Sequence, residues 1–181
     1  MSPQEARTVL AEADLLCSVE QADAAVRRVA AEITARVGER NPLVLAVMGG
    51  AVVFAGQLLP QLAFPLDFDY LHATRYGDVT QGGQLQWLVE PRAEVAGRTV
   101  LVLDDILDEG ITLAAIVARL QAMGATEVLC AVFAEKDLGH AKPLAADFVG
   151  VRLPNRYVFG YGMDVKGAWR NLPAVYAVKG L

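Results

Sequence analysis

Three aspartates stand close together in the middle of the chain, at Asp104, Asp105 and Asp108, and Gly110 and Thr112 follow them. A glycine and then a threonine before a new apolar period are typical of a loop that closes on a helix N-terminus. The backbone N–H groups and the dipole of such a terminus attract a phosphate. Carboxylates repel that phosphate unless a metal ion or sugar hydroxyls lie between them. The pattern therefore predicts a site for a phosphate that is accompanied by a metal ion or by hydroxyl groups.

Other residues with chemical potential follow the ends of predicted strands. The turn Met48-Gly49-Gly50 contains paired glycines, which indicate close backbone approach either to a ligand or to a neighbouring element. Lys136 is either a ligand-binding cation or a solvated lysine at a strand end. Tyr157 opens an aromatic and glycine-rich segment, where it either stacks on a ligand or packs in the core. The polar stretch 77–86 lacks a hydrophobic period, which favours an active-site lid over a mobile hairpin tip.

Hydrophobic periodicity predicts the elements that position these residues. Capping boxes begin helices at Ser2 and Ser18, and helical periods cover residues 3–16, 19–37, 51–59 and 112–123. Apolar or alternating runs predict strands at residues 43–47, 64–73, 85–90, 99–103, 127–134, 148–151 and 174–178. Strands that alternate with helices predict an α/β fold with a parallel sheet. The C-terminal edge of such a sheet brings the glycine turn, the three aspartates and Lys136 together.

Composition limits the class of protein. The chain has 181 residues, a hydrophobic fraction of 54% and a net charge of −5, which fit one globular domain. The negative charge argues against a nucleic-acid-binding surface but does not exclude a local basic patch. The absence of a signal-peptide pattern or a long apolar run predicts a cytoplasmic protein with no membrane partner. Cys17 and Cys130 show no disulfide or zinc spacing, so we expect two core residues in a reducing compartment.

Residues 101–113, Leu-Val-Leu-Asp-Asp-Ile-Leu-Asp-Glu-Gly-Ile-Thr-Leu, closely resemble the ribose-phosphate-binding motif of type I phosphoribosyltransferases. The rest of the chain resembles hypoxanthine-guanine phosphoribosyltransferases, with the motifs in the same order. Residues 48–50 resemble their diphosphate loop, residues 74–86 their lid, Lys136 their purine-contacting lysine, and residues 157–164 with Arg170 their base-binding hood.

The resemblance covers residues 10–181 and implies a fold. It is a central parallel β-sheet flanked by helices, with a small C-terminal hood over the base site. The resemblance further implies one domain, 1–181, with its core at about 38–150 and its hood in 1–20 and 151–181.

The resemblance also implies purine salvage, in which 5-phosphoribosyl passes from 5-phosphoribosyl-1-diphosphate (PRPP) to hypoxanthine or guanine, giving IMP or GMP and diphosphate. Asp108 is the implied general base, Mg²⁺ the implied cofactor, and a homodimer or homotetramer the implied assembly. Implied contacts to the ribose and 5-phosphate of PRPP come from Asp104, Asp105, Asp108, Glu109, Gly110, Ile111 and Thr112. Implied contacts to the diphosphate come from Met48, Gly49, Gly50, Arg75, Tyr76 and Arg170. Implied contacts to the purine come from Ile106, Lys136, Tyr157, Val158 and Asp164, and the implied metal ligands are Asp104, Asp105 and Asp164.

Two positions depart from the family pattern. Met48 stands where the family often has a diphosphate-binding lysine, so that a positive contact is either lost or supplied by Arg75. Glu109 stands where many relatives have threonine, and we expect its side chain to point away from the phosphate. Asp108 and Lys136 do not separate hypoxanthine, guanine and xanthine, because all three bases carry O6 and N7. The alternatives are a xanthine-preferring phosphoribosyltransferase and a regulatory nucleotide- or RNA-binding protein on the same fold.

Overall fold

The computed structural model describes residues 1–76 and 84–181, and it describes residues 75, 76, 84 and 85 by their backbone alone. This part of the chain contains nine strands, four α-helices and one short 3₁₀ helix. The helices are α1 (Pro3–Glu12), α2 (Val19–Val37), α3 (Val52–Leu58) and α4 (Ile111–Ala122), and the 3₁₀ helix is Leu59–Gln61. The strands are β1 (Asp14–Cys17), β2 (Leu43–Val47), β3 (Asp67–Tyr76), β4 (Gln84–Val89), β5 (Thr99–Leu107), β6 (Glu127–Asp137), β7 (Phe148–Pro154), β8 (Val158–Phe159) and β9 (Val175–Ala177).

Six strands form the main sheet in the order β4-β3-β2-β5-β6-β7, and only β4 runs antiparallel to its neighbour. Strand β2 and residues 100–103 of β5 are apolar and buried, as expected for strands covered on both faces. Helices α2 and α3 pack on one face of this sheet and α4 on the other. The predicted α/β class with a central, mostly parallel sheet is confirmed. The C-terminal ends of β2, β5 and β6 therefore lie side by side, where α/β proteins bind ligands.

A second, antiparallel sheet joins the two ends of the chain. Strand β9 lies between β1 and β8, and Tyr176 pairs with Leu15 on one side and with Phe159 on the other. The indole N–H of Trp169 also donates to the carbonyl oxygen of Ala6 at 2.7 Å, which ties α1 to the C-terminal region. These strands belong to the segments 1–20 and 151–181 that the sequence assigns to a hood. That the hood covers a base site stays a prediction.

Three predicted boundaries are wrong because pairing between strands overrides the local pattern. The sequence predicts a first helix as far as Leu16, but α1 ends at Glu12 and residues 14–17 pair with β9 as strand β1. The sequence predicts that the aspartate strand ends at Leu103, but β5 continues to Leu107 because β6 is longer than expected and pairs with it. Strand β3 is shifted from residues 64–73 to Asp67–Tyr76, in register with β2 and β4. Asp104 and Asp105 therefore lie within a strand and not in a loop.

The returning strand predicted at residues 85–90 is confirmed as β4, whereas residues 77–83 of the predicted lid lie outside the described residues. Cys17 and Cys130 are both free and buried, as the sequence predicts. No helix within residues 1–76 and 84–181 has the length and the apolar character needed to cross a membrane.

Candidate active site

Asp104 and Asp105 lie in the C-terminal part of β5, and neighbouring backbone groups fix both carboxylates. The N–H of Asp105 donates to Oδ1 of Asp104 at 2.9 Å, and the N–H of Ile106 donates to Oδ1 of Asp105 at 2.8 Å. Burial raises the pKa of Asp105. Burial and then the adjacent Asp105 carboxylate raise the pKa of Asp104 well above its usual value. A buried and a half-buried acid this close together cost free energy, which hydroxyl donors or a cation from a ligand would offset.

The chain turns from β5 into α4 through residues 108–110. Gly110 makes the turn with φ = +78°, a left-handed conformation that glycine adopts without strain, and it precedes the first residue of α4. As the N-cap it has no side chain to bond the first N–H groups of the helix. A cavity of about 230 Å³ opens at this turn. Its wall contains all but one of the predicted ribose- and phosphate-binding residues, namely Asp104, Asp108, Glu109, Gly110, Ile111 and Thr112.

A second cavity, of about 210 Å³, lies beside the first and shares Ile106 and Asp108 with it. Its wall contains all five predicted purine-binding residues, namely Ile106, Lys136, Tyr157, Val158 and Asp164. The remaining wall residues are Asp105, Asp108, Met163 and Arg170. Tyr157 is 38% exposed, so it is not a core residue. Met163 also lines this cavity, although no role was predicted for it. The residues predicted for the sugar phosphate and for the base thus line two adjoining cavities.

Lys136 and Asp108 form an ion pair in the wall of the second cavity. The Nζ atom of Lys136, at the end of β6, lies 2.8 Å from Oδ2 of Asp108, in the loop after β5. The side chain of Lys136 is 12% exposed and that of Asp108 is 47% exposed. Lys136 is therefore not a solvated lysine at a strand end. The pair presents an N–H donor and a carboxylate acceptor next to each other, which is complementary to a carbonyl beside a ring N–H.

Arg170 lies between two acids at the edge of the second cavity. Its Nη1 donates to the carbonyl oxygen of Gly162 at 2.6 Å and is 3.9 Å from Oδ2 of Asp105. Its Nη2 forms an ion pair with Asp164, which also accepts the N–H of Gly167 at 2.7 Å. The guanidinium therefore supplies positive charge beside the aspartates. The predicted contact of Arg170 with diphosphate stays a prediction.

Three backbone segments meet at the glycines. The Met48-Gly49-Gly50 turn follows β2 and contains a cis peptide bond between Met48 and Gly49. A Cβ atom on Gly50 would overlap the carboxylate of Asp105, and a Cβ atom on Gly162 would overlap the carbonyl oxygen of Gly50. Close approach to a neighbouring element therefore accounts for Gly50. No role was predicted for Gly162. In the sequence it belongs only to the spacing Gly160-x-Gly162, which lacks the preceding strand and turn of a dinucleotide-binding motif.

Three further predicted residues have different outcomes. Arg75 and Tyr76 end strand β3, and their side chains lie outside the described residues. Glu109 lines the first cavity, but its side chain is 60% exposed and its Oε2 lies 3.4 Å from Nε2 of His140. That Glu109 points away from a bound phosphate stays a prediction.

The predicted Mg²⁺ ligands fit a metal that arrives with substrate. In the part of the chain that the structure describes, no three His, Cys, Asp or Glu side chains cluster closely enough to hold a metal by themselves. Mg²⁺ typically uses one or two carboxylates together with waters and substrate phosphates. Asp105 and Asp164 line the same cavity and both approach Arg170, so they share a region that holds positive charge.

Comparison with known proteins decides the family. Residues 18–166 match the family model of the phosphoribosyl transferase domain. The hypoxanthine-guanine phosphoribosyltransferase of Bacillus subtilis is 30% identical over 166 residues, which cover 91% of this chain and 92% of that protein. The chain belongs to the hypoxanthine-guanine phosphoribosyltransferase family.

Other members of the phosphoribosyltransferase family also match this chain over most of its length. A solved hypoxanthine-guanine-xanthine phosphoribosyltransferase superposes with a TM-score of 0.83 at 30% identity, covering 92% of this chain and 96% of that one. The bifunctional protein TilS/HprT of Listeria innocua is 34% identical over 166 residues, or 91% of this chain. The chain spans only 26% of the length of that bifunctional relative. The predicted family and the predicted fold are confirmed.

Proposed function

We propose that this chain transfers the 5-phosphoribosyl group of PRPP to hypoxanthine or guanine, giving IMP or GMP and diphosphate in purine salvage. The Lys136–Asp108 pair carries the proposal, because its 2.8 Å donor–acceptor arrangement lies where the two cavities adjoin. A 6-oxopurine presents O6 as acceptor and N7–H as donor in the matching order. Adenine has an amino group in place of O6 and would leave Lys136 without an acceptor, which gives discrimination between the bases.

The acids on β5 serve the sugar. Breaking the anomeric C–O bond develops positive charge on the ribose and negative charge on the diphosphate. Asp104 and Asp105 accept hydrogen bonds from the ribose hydroxyls and stabilise the positive charge electrostatically. Because backbone N–H groups already hold both carboxylates, little reorganisation accompanies the reaction. The backbone N–H groups of residues 108–112 and the hydroxyl of Thr112 hold the 5-phosphate at the start of α4.

The residues of the second cavity serve the base. Asp108 accepts the N7 proton as the N9 glycosidic bond forms, and Lys136 donates to O6. Tyr157 stacks on the ring, and the backbone carbonyl of Val158 accepts from the ring edge. The half-exposed carboxylate of Asp108 is accessible to this ligand, while the largely buried Lys136 is held in place beside it.

Arg170 and the Met48-Gly49-Gly50 turn bind the diphosphate, which is the leaving group. Arg170 pairs with the diphosphate as a bidentate donor, from its position beside Asp105 and Asp164. Asp164 and the acids proposed to face the ribose would hold Mg²⁺, which would neutralise the charge of the diphosphate.

One panel of bases tests this function. The purified protein is assayed by absorbance with PRPP and Mg²⁺ against hypoxanthine, guanine, xanthine and adenine. We expect turnover of hypoxanthine or guanine and none of adenine. Turnover of xanthine alone would establish the xanthine-preferring alternative. Binding of RNA at physiological salt, with no turnover of any base, would establish the regulatory alternative and contradict the proposal.

We further propose that the protein works in the cytoplasm as a homodimer or homotetramer. Two buried free thiols support a reducing compartment. Large apolar side chains on β3 and β4, Phe68 and Leu88, are exposed in the single chain and support a contact with a second copy. A sedimentation-velocity run that gives only monomer at micromolar concentration would contradict the assembly.

A further inference from the structure

The chain segment between β6 and β7 places the side chain of Lys142 against the ends of the neighbouring strands β5 and β6. The Nζ atom of Lys142 donates to the carbonyl oxygen of Leu107 at 2.9 Å and to the carbonyl oxygen of Lys136 at 2.6 Å. Leu107 is the last residue of β5 and directly precedes Asp108. One ammonium group therefore contacts the backbone of Lys136 and the backbone next to Asp108, the two residues whose side chains form the ion pair.

The surroundings of Lys142 show that this contact is built into the fold. The side chain is only 8% exposed, and besides the two carbonyl oxygens its Nζ atom forms an ion pair with Glu135, whose Oε1 lies 3.8 Å away. A lysine has three N–H donors, and its burial is costly unless acceptors meet them. A Cβ atom on Gly110 would lie 3.6 Å from Cβ of Lys142 and from Cδ of Pro143. The same connection therefore also lies beside the turn that begins α4.

We propose that Lys142 is a positioning residue, which holds the Asp108 loop against the end of β6 so that Asp108 and Lys136 are aligned for the purine. Lys142 acts through two main-chain carbonyl groups and contacts no substrate. Its kinetic consequence rests on the proposed function, whereas its effect on the loop does not. No local pattern indicates this role, because 35 residues separate Lys142 from Leu107.

The test compares two substitutions that each remove a cation beside Glu135. Lys142→Met keeps a long side chain but removes the N–H donors to the strand ends. Arg152→Met is the matched control, because Arg152 on β7 reaches Glu135 at 3.5 Å but is 80% exposed. Each variant is assayed with PRPP and the preferred base, and its backbone amide hydrogen exchange is measured without ligands.

We expect Lys142→Met to lower kcat about 10- to 100-fold, as misplacement of a catalytic group by about 1 Å does. The KM for PRPP should rise as well, because the loosened residues 108–112 are also the ones proposed to hold the 5-phosphate. Amide exchange of residues 107–112 should rise at least about tenfold in this variant while the rest of the sheet exchanges as in wild type. Arg152→Met should change neither quantity more than about twofold.

Wild-type kcat and wild-type loop exchange in Lys142→Met would overturn the proposal. A kcat loss without faster loop exchange, or faster exchange across the whole sheet, would also overturn it and indicate a general structural role. A wild-type protein that turns over no base would refute the proposed function, and the exchange data would still decide the role of Lys142. If Lys142→Met does not fold, Lys142→Gln, which is too short to reach both carbonyl groups, gives the same two readouts.

Discussion

At the scale of single residues, the site holds two carboxylates in a state that costs stability. Asp104 and Asp105 are adjacent, and burial raises the pKa of each. Among the described residues, Arg170 is the cation that approaches Asp105, at 3.9 Å, and it is also paired with Asp164. Groups that are kept at such a cost usually serve binding or catalysis and not folding.

Replacing Asp104 by asparagine should therefore stabilise the protein and impair it. Asparagine retains an Oδ1 acceptor for the N–H of Asp105 but removes the buried charge. We expect the free energy of unfolding to rise by about 1 kcal/mol, which raises Tm by about 2–4 °C. The value of kcat/KM for PRPP should fall at least about 100-fold. Thermal unfolding and steady-state kinetics measure both effects, with the exposed Glu39→Gln as a control for charge alone. A lower Tm for Asp104→Asn would contradict this account.

Replacing Asp108 by asparagine tests the general base. Asparagine keeps the size of the side chain but does not take a proton, so kcat should fall by about 10²- to 10⁴-fold. The KM for PRPP should stay within about threefold, because the backbone of the loop still holds the 5-phosphate. Steady-state kinetics with both substrates gives the two parameters, and an unchanged kcat would exclude Asp108 as the base.

Replacing Lys136 by alanine tests recognition of O6. The variant loses the only donor proposed for O6, so kcat/KM for hypoxanthine and guanine should fall by about 10²-fold while the KM for PRPP changes little. A collapse of PRPP binding would instead assign Lys136 to the diphosphate site.

Residue types alone predicted the turn with its three aspartates as a phosphate site and left Lys136 and Tyr157 open between a ligand contact and an ordinary structural role. The resemblance to the family motifs, and not the residue types, is what assigned Lys136, Tyr157 and Arg170 to the site. Lys142 and Gly162 were not predictable, because their roles depend on contacts with backbone atoms far away in sequence. In the sequence, a lysine that donates hydrogen bonds to two carbonyl oxygens cannot be distinguished from a lysine exposed to solvent.

At the scale of elements, the central strands of the main sheet were predictable from the sequence, but the residues at which strands begin and end were not. Strands β2 and β5 are continuous apolar runs, which determine their burial without reference to partners. Residues 14–17 and 104–107 are strands only because β9 and β6 pair with them, so local pattern places the first in a helix and the second in a turn. Pairing with a strand that is distant in sequence, and not the local pattern, therefore determines these boundaries.

The contact between the C-terminal region and the glycine turn after β2 is also a matter of elements. Gly162→Ala places a Cβ atom against the carbonyl oxygen of Gly50, at a residue with φ = +100°. We expect a loss of about 3 kcal/mol or more in the free energy of unfolding, together with a strong loss of turnover. Gly167→Ala is the matched control, because its φ is +84° but no described atom lies within 4 Å of the new Cβ. It should cost only about 1–2 kcal/mol, and equal losses in urea denaturation would contradict the predicted overlap.

At the scale of the whole molecule, the core holds a thiol that reports on global folding. Burial and then the nearby carboxylates of Asp147 and Asp104 raise the pKa of Cys130 to about 12. The native protein therefore binds this proton more tightly than the unfolded chain, in which the thiol titrates near pH 8.5. The stabilisation is complete below that pH and decreases as the pH rises toward 12.

Wild type should consequently lose stability between pH 8 and pH 11 more steeply than Cys130→Ala, as measured by urea denaturation at each pH. Cys130 in native wild type should also resist alkylation at pH 8 and react only after unfolding. Parallel pH profiles for the two proteins, or rapid alkylation of the native state, would contradict the pKa shift.

The position of Asp104 and Asp105 within strand β5 has a thermodynamic consequence. Binding residues on loops open by local fluctuations and must be ordered again when a ligand arrives. Asp104 instead pairs with Val132 in the interior of the main sheet, so it leaves its place only when that sheet separates. The entropy of ordering this half of the site is lost once, when the chain folds, and not again at each encounter with a ligand. Folding itself thus prepares the half of the site that we propose binds the sugar.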